Sequence, residues 1–280
     1  MNIDIGSTKA PPGPGPRSLG GIIALMFRLF GRHLGIMLVV TALVVVPLLA
    51  AGIVAFGPEF VDEIMGGPEN GAFEQPPAAI STVIAYLVLY AIGILAVTGA
   101  VAELAARSLA GSDLSISRAY GVTLRRLPYM VGAALIMASL VATPVALALL
   151  LESAIDSAVV FLFAVVLSVY LAVRLLFAPY IVLFEHTGPI TSVMRSWKLV
   201  SGMWLRTFGL LIIISLVLGL IQMLLQLLGA IAPSVEAFVT SLVILPLSII
   251  GNLLIYLDLR VRKYAYGSAR LSAELESLAS

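Results

Sequence analysis

The chain has 280 residues, of which 61% are hydrophobic and 11% are charged, and its mean hydropathy is +1.11. Soluble domains carry about 25% charged residues, so this composition excludes an ordinary soluble globule. The net charge of +1 is uninformative as a total, and no nucleic-acid partner is predicted. The absence of cysteine excludes disulfides and thiolate metal sites.

Six apolar stretches are long enough to cross a bilayer, which takes about 20 helical residues. They lie near residues 34–56, 79–105, 128–150, 157–184, 207–231 and 235–259. The predicted fold class is therefore an all-α integral membrane protein with six transmembrane helices. Residues 1–17, rich in proline and glycine, are predicted to form a disordered tail, and residues 267–280 a cytoplasmic C-terminal tail. The first span is interpreted as a retained signal anchor, because no cleavage site follows a short apolar region.

The basic residues predict which side of the membrane each connection faces. All 16 Lys and Arg residues fall before span one, in the second and fourth connections, at the end of span four, or after span six. Because short loops retain positive charge in the cytoplasm, both termini are predicted to be cytoplasmic, in a bacterial inner membrane. The acidic connection 57–77 could recruit calcium or magnesium through its carboxylates. Its spacing matches no metal-binding loop, so we interpret it as solvated and predict no cofactor.

Residues 188–209 are predicted to form a basic amphipathic helix that leads into span five. The spacing of three and four places one set of residues on a single apolar stripe: Ile190, Val193, Trp197, Val200 and Trp204. Pro189 suits the first helical position, where no backbone hydrogen bond is lost. A basic amphipathic helix followed by an apolar one is typical of an elbow at a membrane surface.

This elbow recurs along the chain. Ser18, Ser115 and Ser192 can be aligned, and each is followed at the same offset by a glycine: Gly35, Gly132 and Gly209. We interpret the chain as three tandem hairpins, over about residues 18–110, 111–187 and 188–266. Each would comprise a cytoplasmic elbow helix, a glycine bend and two spans. Chance agreement of small residues in a chain rich in glycine and alanine is the alternative.

Three segments resemble a known family. PITSVMRSWKLVSGMWLRTFG, LLIYLDLRVRKYAYG and SLGGIIALMFRLFGRHLG are similar to the membrane domain associated with bacterial glycerophosphoryl diester phosphodiesterases. The resemblance covers most of residues 18–266 and implies a membrane domain, which in many relatives stands alone and has no established activity. The family's hydrolase activity belongs to a separate soluble barrel that these residues do not contain. Phosphodiesterase activity is therefore not expected of them.

No catalytic or metal-binding constellation emerges from the sequence. No serine lies in G-x-S-x-G, and neither His33 nor His186 has a second ligand at metal spacing. We interpret Glu185-His186 as a polar loop after span four. The leading hypothesis is a non-enzymatic scaffold or accessory subunit that engages anionic lipid or a membrane-protein partner. The residues predicted to make these contacts are Arg118, Arg125, Arg174, Arg195, Lys198, Arg206, Trp197 and Trp204.

The alternative function is transport of a small molecule or lipid. Spans kinked at Pro47, Pro144 and Pro246 could form its path. The polar residues within the spans are Gln222, Gln226 and Asn252, for which interhelical hydrogen bonds are the simpler role. A membrane-embedded enzyme is the third choice.

Arg174 is embedded in the apolar run 157–184. A helix of this length measures about 42 Å at 1.5 Å per residue, which exceeds the roughly 30 Å hydrocarbon core. We therefore predict that Arg174 lies at the cytoplasmic interface and that Leu175–Phe184 is covered by protein. The covered stretch would be the hydrophobic centre of the cytoplasmic face, with a groove for lipid or a partner. A simple tilted span ending at Phe184 is the alternative.

The one-sided charge generates a topological prediction. Cysteines introduced at Ser18, Ser115 and Ser192 should be protected from an impermeant thiol reagent in intact cells, whereas cysteines at Asn70 and Ser234 should react. Labelling of residue 115 from outside would overturn the hairpin scheme.

Overall fold

A computed structural model describes residues 18–57, 80–151, 158–229 and 233–264, together with Ala273. Within these ranges the chain forms helices and short connections, without strands. The helices are α1 (Leu19–Arg32), α2 (Leu34–Phe56), α3 (Ile80–Ala110), α4 (Ile116–Leu151), α5 (Ala158–Leu175), α6 (Ala178–Glu185), α7 (Pro189–Val200), α8 (Trp204–Gly229) and α9 (Pro233–Tyr264). The predicted N-terminal tail lies outside the described residues, as do almost all of the predicted C-terminal tail and of the acidic connection.

Six segments are long and apolar enough to cross a membrane, judged by length and composition. They correspond to α2, α3, α4, α5 with α6, α8 and α9. The prediction of an all-α, multi-pass membrane protein is therefore confirmed. Consecutive spans contact each other in the pairs α2–α3, α3–α4, α4–α5 and α8–α9, and α9 also contacts α1, α2 and α3. The threefold repeat and the side of the membrane on which each connection lies stay predictions.

The buried core is concentrated at one end of the bundle. It includes the apolar face of α1, the second half of α3, the whole apolar part of α6 and the second half of α9. The remaining parts of the spans expose large apolar side chains, such as Leu135 on α4 and Leu216 on α8. Exposed apolar surface on a spanning helix faces lipid. Protein packing is instead concentrated at the one end of the bundle that also carries the basic residues.

The predicted glycine bends are wrong. Gly35 and Gly209 lie inside α2 and α8, and α4 runs unbroken through Gly132. The chain bends instead at His33 and at residues 201–203, where Gly202 adopts φ +84°. Such a φ carries little cost only for glycine. Gly132 has a different role, because a Cβ atom there would lie 2.9 Å from the Pro189 ring at the start of α7.

The three aligned serines do not occupy equivalent positions. Ser18 caps α1 by accepting a hydrogen bond from the Gly21 N–H at 3.2 Å, and Ser115 lies at the matching place before α4. Ser192 lies inside α7, and its hydroxyl donates to the Pro189 carbonyl at 2.7 Å. Since Ser192 is fully buried, its protection from a reagent would not report topology; the exposed neighbour Thr191 is the appropriate labelling position.

A matched pair of glycines tests the packing of α3 on α4. A Cβ atom at Gly99 would lie 2.4 Å from the Thr123 side chain, whose hydroxyl is held by the Ala119 carbonyl. Gly99→Ala should therefore lower the free energy of unfolding in detergent by about 1–3 kcal/mol. Gly121→Ala, in open space on α4, should leave it unchanged or raise it by up to about 1 kcal/mol. Equal stability of the two variants would contradict this packing.

Candidate functional site

The fourth span breaks directly after Arg174, and the break defines the candidate site. Helix α5 ends at Leu175, residues 176 and 177 form a turn, and α6 begins at Ala178. Pro179 lacks an N–H and restricts the residue before it, so an unbroken helix is disfavoured here. The Arg174 carbonyl, freed by the break, accepts a hydrogen bond from the Ser196 hydroxyl of α7 at 2.8 Å. The break thus ties α5 to α7.

The Arg174 side chain lies against aromatic rings. Its guanidinium carbon is 4.4 Å from the centroid of the Trp197 ring and 5.0 Å from that of Tyr170. Trp204 packs on Tyr170 at 5.5 Å between centroids, and its indole N–H donates to the Tyr170 carbonyl at 3.4 Å. Nη1 lies 3.5 Å from the Trp197 carbonyl, and Arg174 makes no ion pair within the described part of the chain. Cation–π contacts therefore hold this positive charge near the surface.

The stretch after Arg174 is covered by protein, as predicted. Every residue from Phe177 to Phe184 is buried. The fully buried Tyr256 ring of α9 stacks on Phe177, Tyr180 and Phe184 at centroid distances of 6.1–6.3 Å. Helices α3, α4 and α7 also contact α6. This burial shows that the stretch does not face lipid, and the position of Arg174 at the cytoplasmic interface stays a prediction.

Glu185, at the end of α6, connects two further helices, so its interpretation as a polar loop residue is wrong. Its Oε2 accepts a hydrogen bond from Arg195 of α7 at 2.6 Å. Its Oε1 accepts one from the Tyr256 hydroxyl at 3.0 Å, and Nε of Arg260 lies 3.8 Å from the same oxygen. The carboxylate therefore fixes α7 and α9 to the end of α6.

Asp258 connects α8 to α9 in the same way. Its side chain is buried and its Oδ2 accepts hydrogen bonds from Arg206 of α8 at 3.0 Å and from Arg262 at 2.9 Å. Lys263, which follows Arg262 on α9, donates to the Ser201 carbonyl at 3.0 Å and to the Lys198 carbonyl at the end of α7. A cation at a helix C-terminus satisfies carbonyls that lack helical partners.

Helix α7 begins at Pro189 as predicted, but its buried face differs from the predicted stripe. It buries Ser192, Val193, Ser196, Leu199 and Val200, whereas Ile190 and Trp197 are exposed and Trp204 belongs to α8. Small serines permit close packing, and their hydroxyls are satisfied by nearby carbonyls. The larger apolar side chains consequently point outward.

A groove of about 270 Å³ lies between α4, α5 and α7. Its walls are apolar except at one edge and are formed by Leu140 of α4, Leu171 and Leu175 of α5, and Val193, Met194, Trp197 and Lys198 of α7. Lys198 is exposed and makes no side-chain ion pair within the described ranges. The groove therefore combines an apolar channel with an available ammonium group.

The remaining sequence-predicted residues lie away from this groove. Arg118 and Arg125 are exposed on the first turns of α4. Gln222 and Gln226 lie on the partly exposed surface of α8, and neither amide makes a hydrogen bond within the described residues. Asn252 lies beside the Tyr180 hydroxyl, which donates to the Ile249 carbonyl at 3.3 Å and so links α6 to α9.

Sequence reasoning missed three carboxylates that organise this end of the bundle: Glu103, Glu185 and Asp258. Two of them carried a readable signal, because Glu103 with Arg107 and Asp258 with Arg262 have the i,i+4 spacing of a helical ion pair. Glu185 carried none, because its partners are distant in sequence.

Comparison with protein families, with curated proteins and with solved structures finds no match.

The ion pairs of Asp258 and Glu185 generate a stability prediction. Asp258→Asn should lower the free energy of unfolding in detergent by on the order of 3 kcal/mol, because two arginines lose a buried partner. Arg195→Gln should cost less than about 1 kcal/mol, because the Arg195 side chain is 50% exposed and its pairing is screened. Indistinguishable losses in the two variants would show that burial does not set the strength of these pairs.

Proposed function

We propose that this chain is a non-enzymatic membrane scaffold or accessory subunit that engages anionic lipid through the basic end of its helical bundle. The observation that carries the proposal is the outward face of α7. Ile190, Met194 and Trp197 are exposed there beside Arg195 and Lys198. A helix at a membrane interface places apolar residues at the headgroup boundary and cations against anionic headgroups.

The ion pairs separate the cations that hold the fold from those available to lipid. Arg195 and Arg206 are held by Glu185 and Asp258, so they stabilise the bundle. Arg28, Arg125 and Lys198 are exposed and make no side-chain ion pair within the described part of the chain. Each available cation near an anionic surface contributes about 1 kcal/mol of binding. These three residues would provide the electrostatic attraction.

The distribution of charge supports an orientation with this end in the cytoplasm of a bacterial inner membrane. The resemblance seen in the sequence to the phosphodiesterase-associated membrane domain, many members of which have no established activity, agrees with a non-enzymatic role. Transport remains a hypothesis from sequence, because the groove is not lined by Pro47, Pro144 or Asn252. We therefore retain the scaffold with lipid engagement as the proposal.

The proposal predicts selective retention of anionic lipid. The full chain, reconstituted with equal amounts of phosphatidylglycerol and phosphatidylcholine and then purified in detergent, should retain mainly phosphatidylglycerol by mass spectrometry. Replacing Arg28, Arg125 and Lys198 together with glutamine should remove up to about 3 kcal/mol of this preference. Raising the salt should weaken it as well, because exposed charges are screened beyond about 10 Å at 0.1 M.

Thr191→Gln is the matched control, because it adds the same amide on exposed α7 without removing a charge. Its lipid retention should equal that of the unmodified chain. Equal retention of both lipids by the unmodified chain would contradict the proposal.

A further inference from the structure

We infer that the groove between α4, α5 and α7 holds one acyl chain of an anionic phospholipid, with the lipid phosphate at Lys198. This inference rests on the proposed function, and it specifies where a lipid would bind and through which contacts. A general electrostatic attraction to the membrane requires no such site.

The size and lining of the groove suit part of a single hydrocarbon chain. Its volume of about 270 Å³ lies just below the roughly 300–1,000 Å³ of pockets for drug-sized ligands, so it is too small for a whole phospholipid. Leu171, Leu175 and Val193 form its apolar wall, while Leu140 and Met194 are 44% and 56% exposed. The groove is therefore open along one side, as the entry of a chain from the bilayer requires.

The position of the groove identifies the bilayer as the source of its occupant. Leu140 and Leu171 belong to segments long and apolar enough to span a membrane. The neighbouring outward side chains Leu135 and Leu147 of α4 are exposed and apolar. A surface of this kind is surrounded by acyl chains, so a lipid reaches the groove without leaving the membrane.

The charges at the edge of the groove favour an anionic lipid over a zwitterionic one. Lys198 lines the groove, and its ammonium makes no ion pair within the described residues. The Arg174 guanidinium packs on the Trp197 ring, which forms another part of the same lining. No acidic side chain lines the groove. A phosphate at this edge would meet positive charge, and its chain would meet only apolar side chains.

The two tryptophans of the chain provide a site-specific measurement. Trp197 lines the groove, whereas Trp204 packs against Tyr170 and Phe208, so Trp204→Phe leaves one reporter at the site. The Trp204→Phe chain is reconstituted in phosphatidylcholine vesicles that contain a fixed minor fraction of lipid with brominated acyl chains. The brominated lipid is either phosphatidylglycerol or phosphatidylcholine. Bromine quenches tryptophan fluorescence on contact, so quenching reports a chain beside Trp197.

We expect brominated phosphatidylglycerol to quench Trp197 with an apparent affinity about fivefold higher than brominated phosphatidylcholine, the gain from one cation near the surface. Lys198→Gln should abolish that preference. Thr191→Gln, which adds the same amide at an exposed position of α7 without removing a charge, should leave it intact. Leu140→Phe, which fills the groove, should reduce quenching by either lipid, whereas Leu147→Phe on the same exposed helix should not.

Equal quenching by the two lipids, or equal quenching in the Leu140→Phe and Leu147→Phe chains, would overturn the inference. Lys198→Gln changes an exposed side chain, so it keeps the test decisive if Leu140→Phe fails to fold. The purified chain could retain phosphatidylglycerol without preferential quenching of Trp197. That result would contradict lipid binding in the groove but not the proposed function. If the unmodified chain showed neither selective retention of phosphatidylglycerol nor preferential quenching of Trp197, both the proposed function and the groove would be contradicted.

Discussion

The break between α5 and α6 is the constraint on which the rest of this end of the bundle depends. An unbroken helix through residues 158–185 would be about 42 Å long, and its last turns would leave the roughly 30 Å hydrocarbon core. The turn before Pro179 instead gives α6 its own position, where its apolar residues are buried against Tyr256 and the neighbouring helices. Burying these residues makes a centre against which α4, α7 and α9 all pack.

Charge fixes that arrangement more specifically than apolar packing does. Burying an ion pair contributes little net stability, because desolvation offsets the attraction, but leaving one partner alone is strongly unfavourable. Glu185 therefore disfavours any packing that takes α7 or the second half of α9 away from it, and Asp258 does the same for α8 and α9. The aromatic contacts of Arg174 serve a different purpose, because they hold a cation in place without neutralising it.

Three features could be predicted from the sequence, because local properties determine them. Hydrophobic length predicts the spans, and proline geometry predicts the helix start at Pro189. The thickness of a bilayer predicts the burial of the stretch after Arg174. The rotation of α7 could not. Spacing places Ile190 and Trp197 on the same apolar stripe as Val193 and Val200, yet close contact with α4 and α5 buries the serine face instead. The roles of Arg195 and Arg206 were also hidden, because they depend on carboxylates ten and fifty-two residues away along the chain.

Some cations at this end of the bundle are paired with carboxylates and others are not, and this difference links the proposed lipid site to the fold. Because α7 turns its serine face inward, its buried side covers α6 while Met194 and Trp197 form a wall of the groove. The ion pair of Arg195 with Glu185 and the contacts of Lys263 with the last carbonyls of α7 hold that wall in place. A cation already paired with a carboxylate is poorly placed to bind phosphate, so positive charge alone does not identify a lipid contact. Lys198, which makes no side-chain ion pair within the described residues and lies beside an apolar groove, is the better candidate. It would act on the headgroup without weakening the helix packing beneath it.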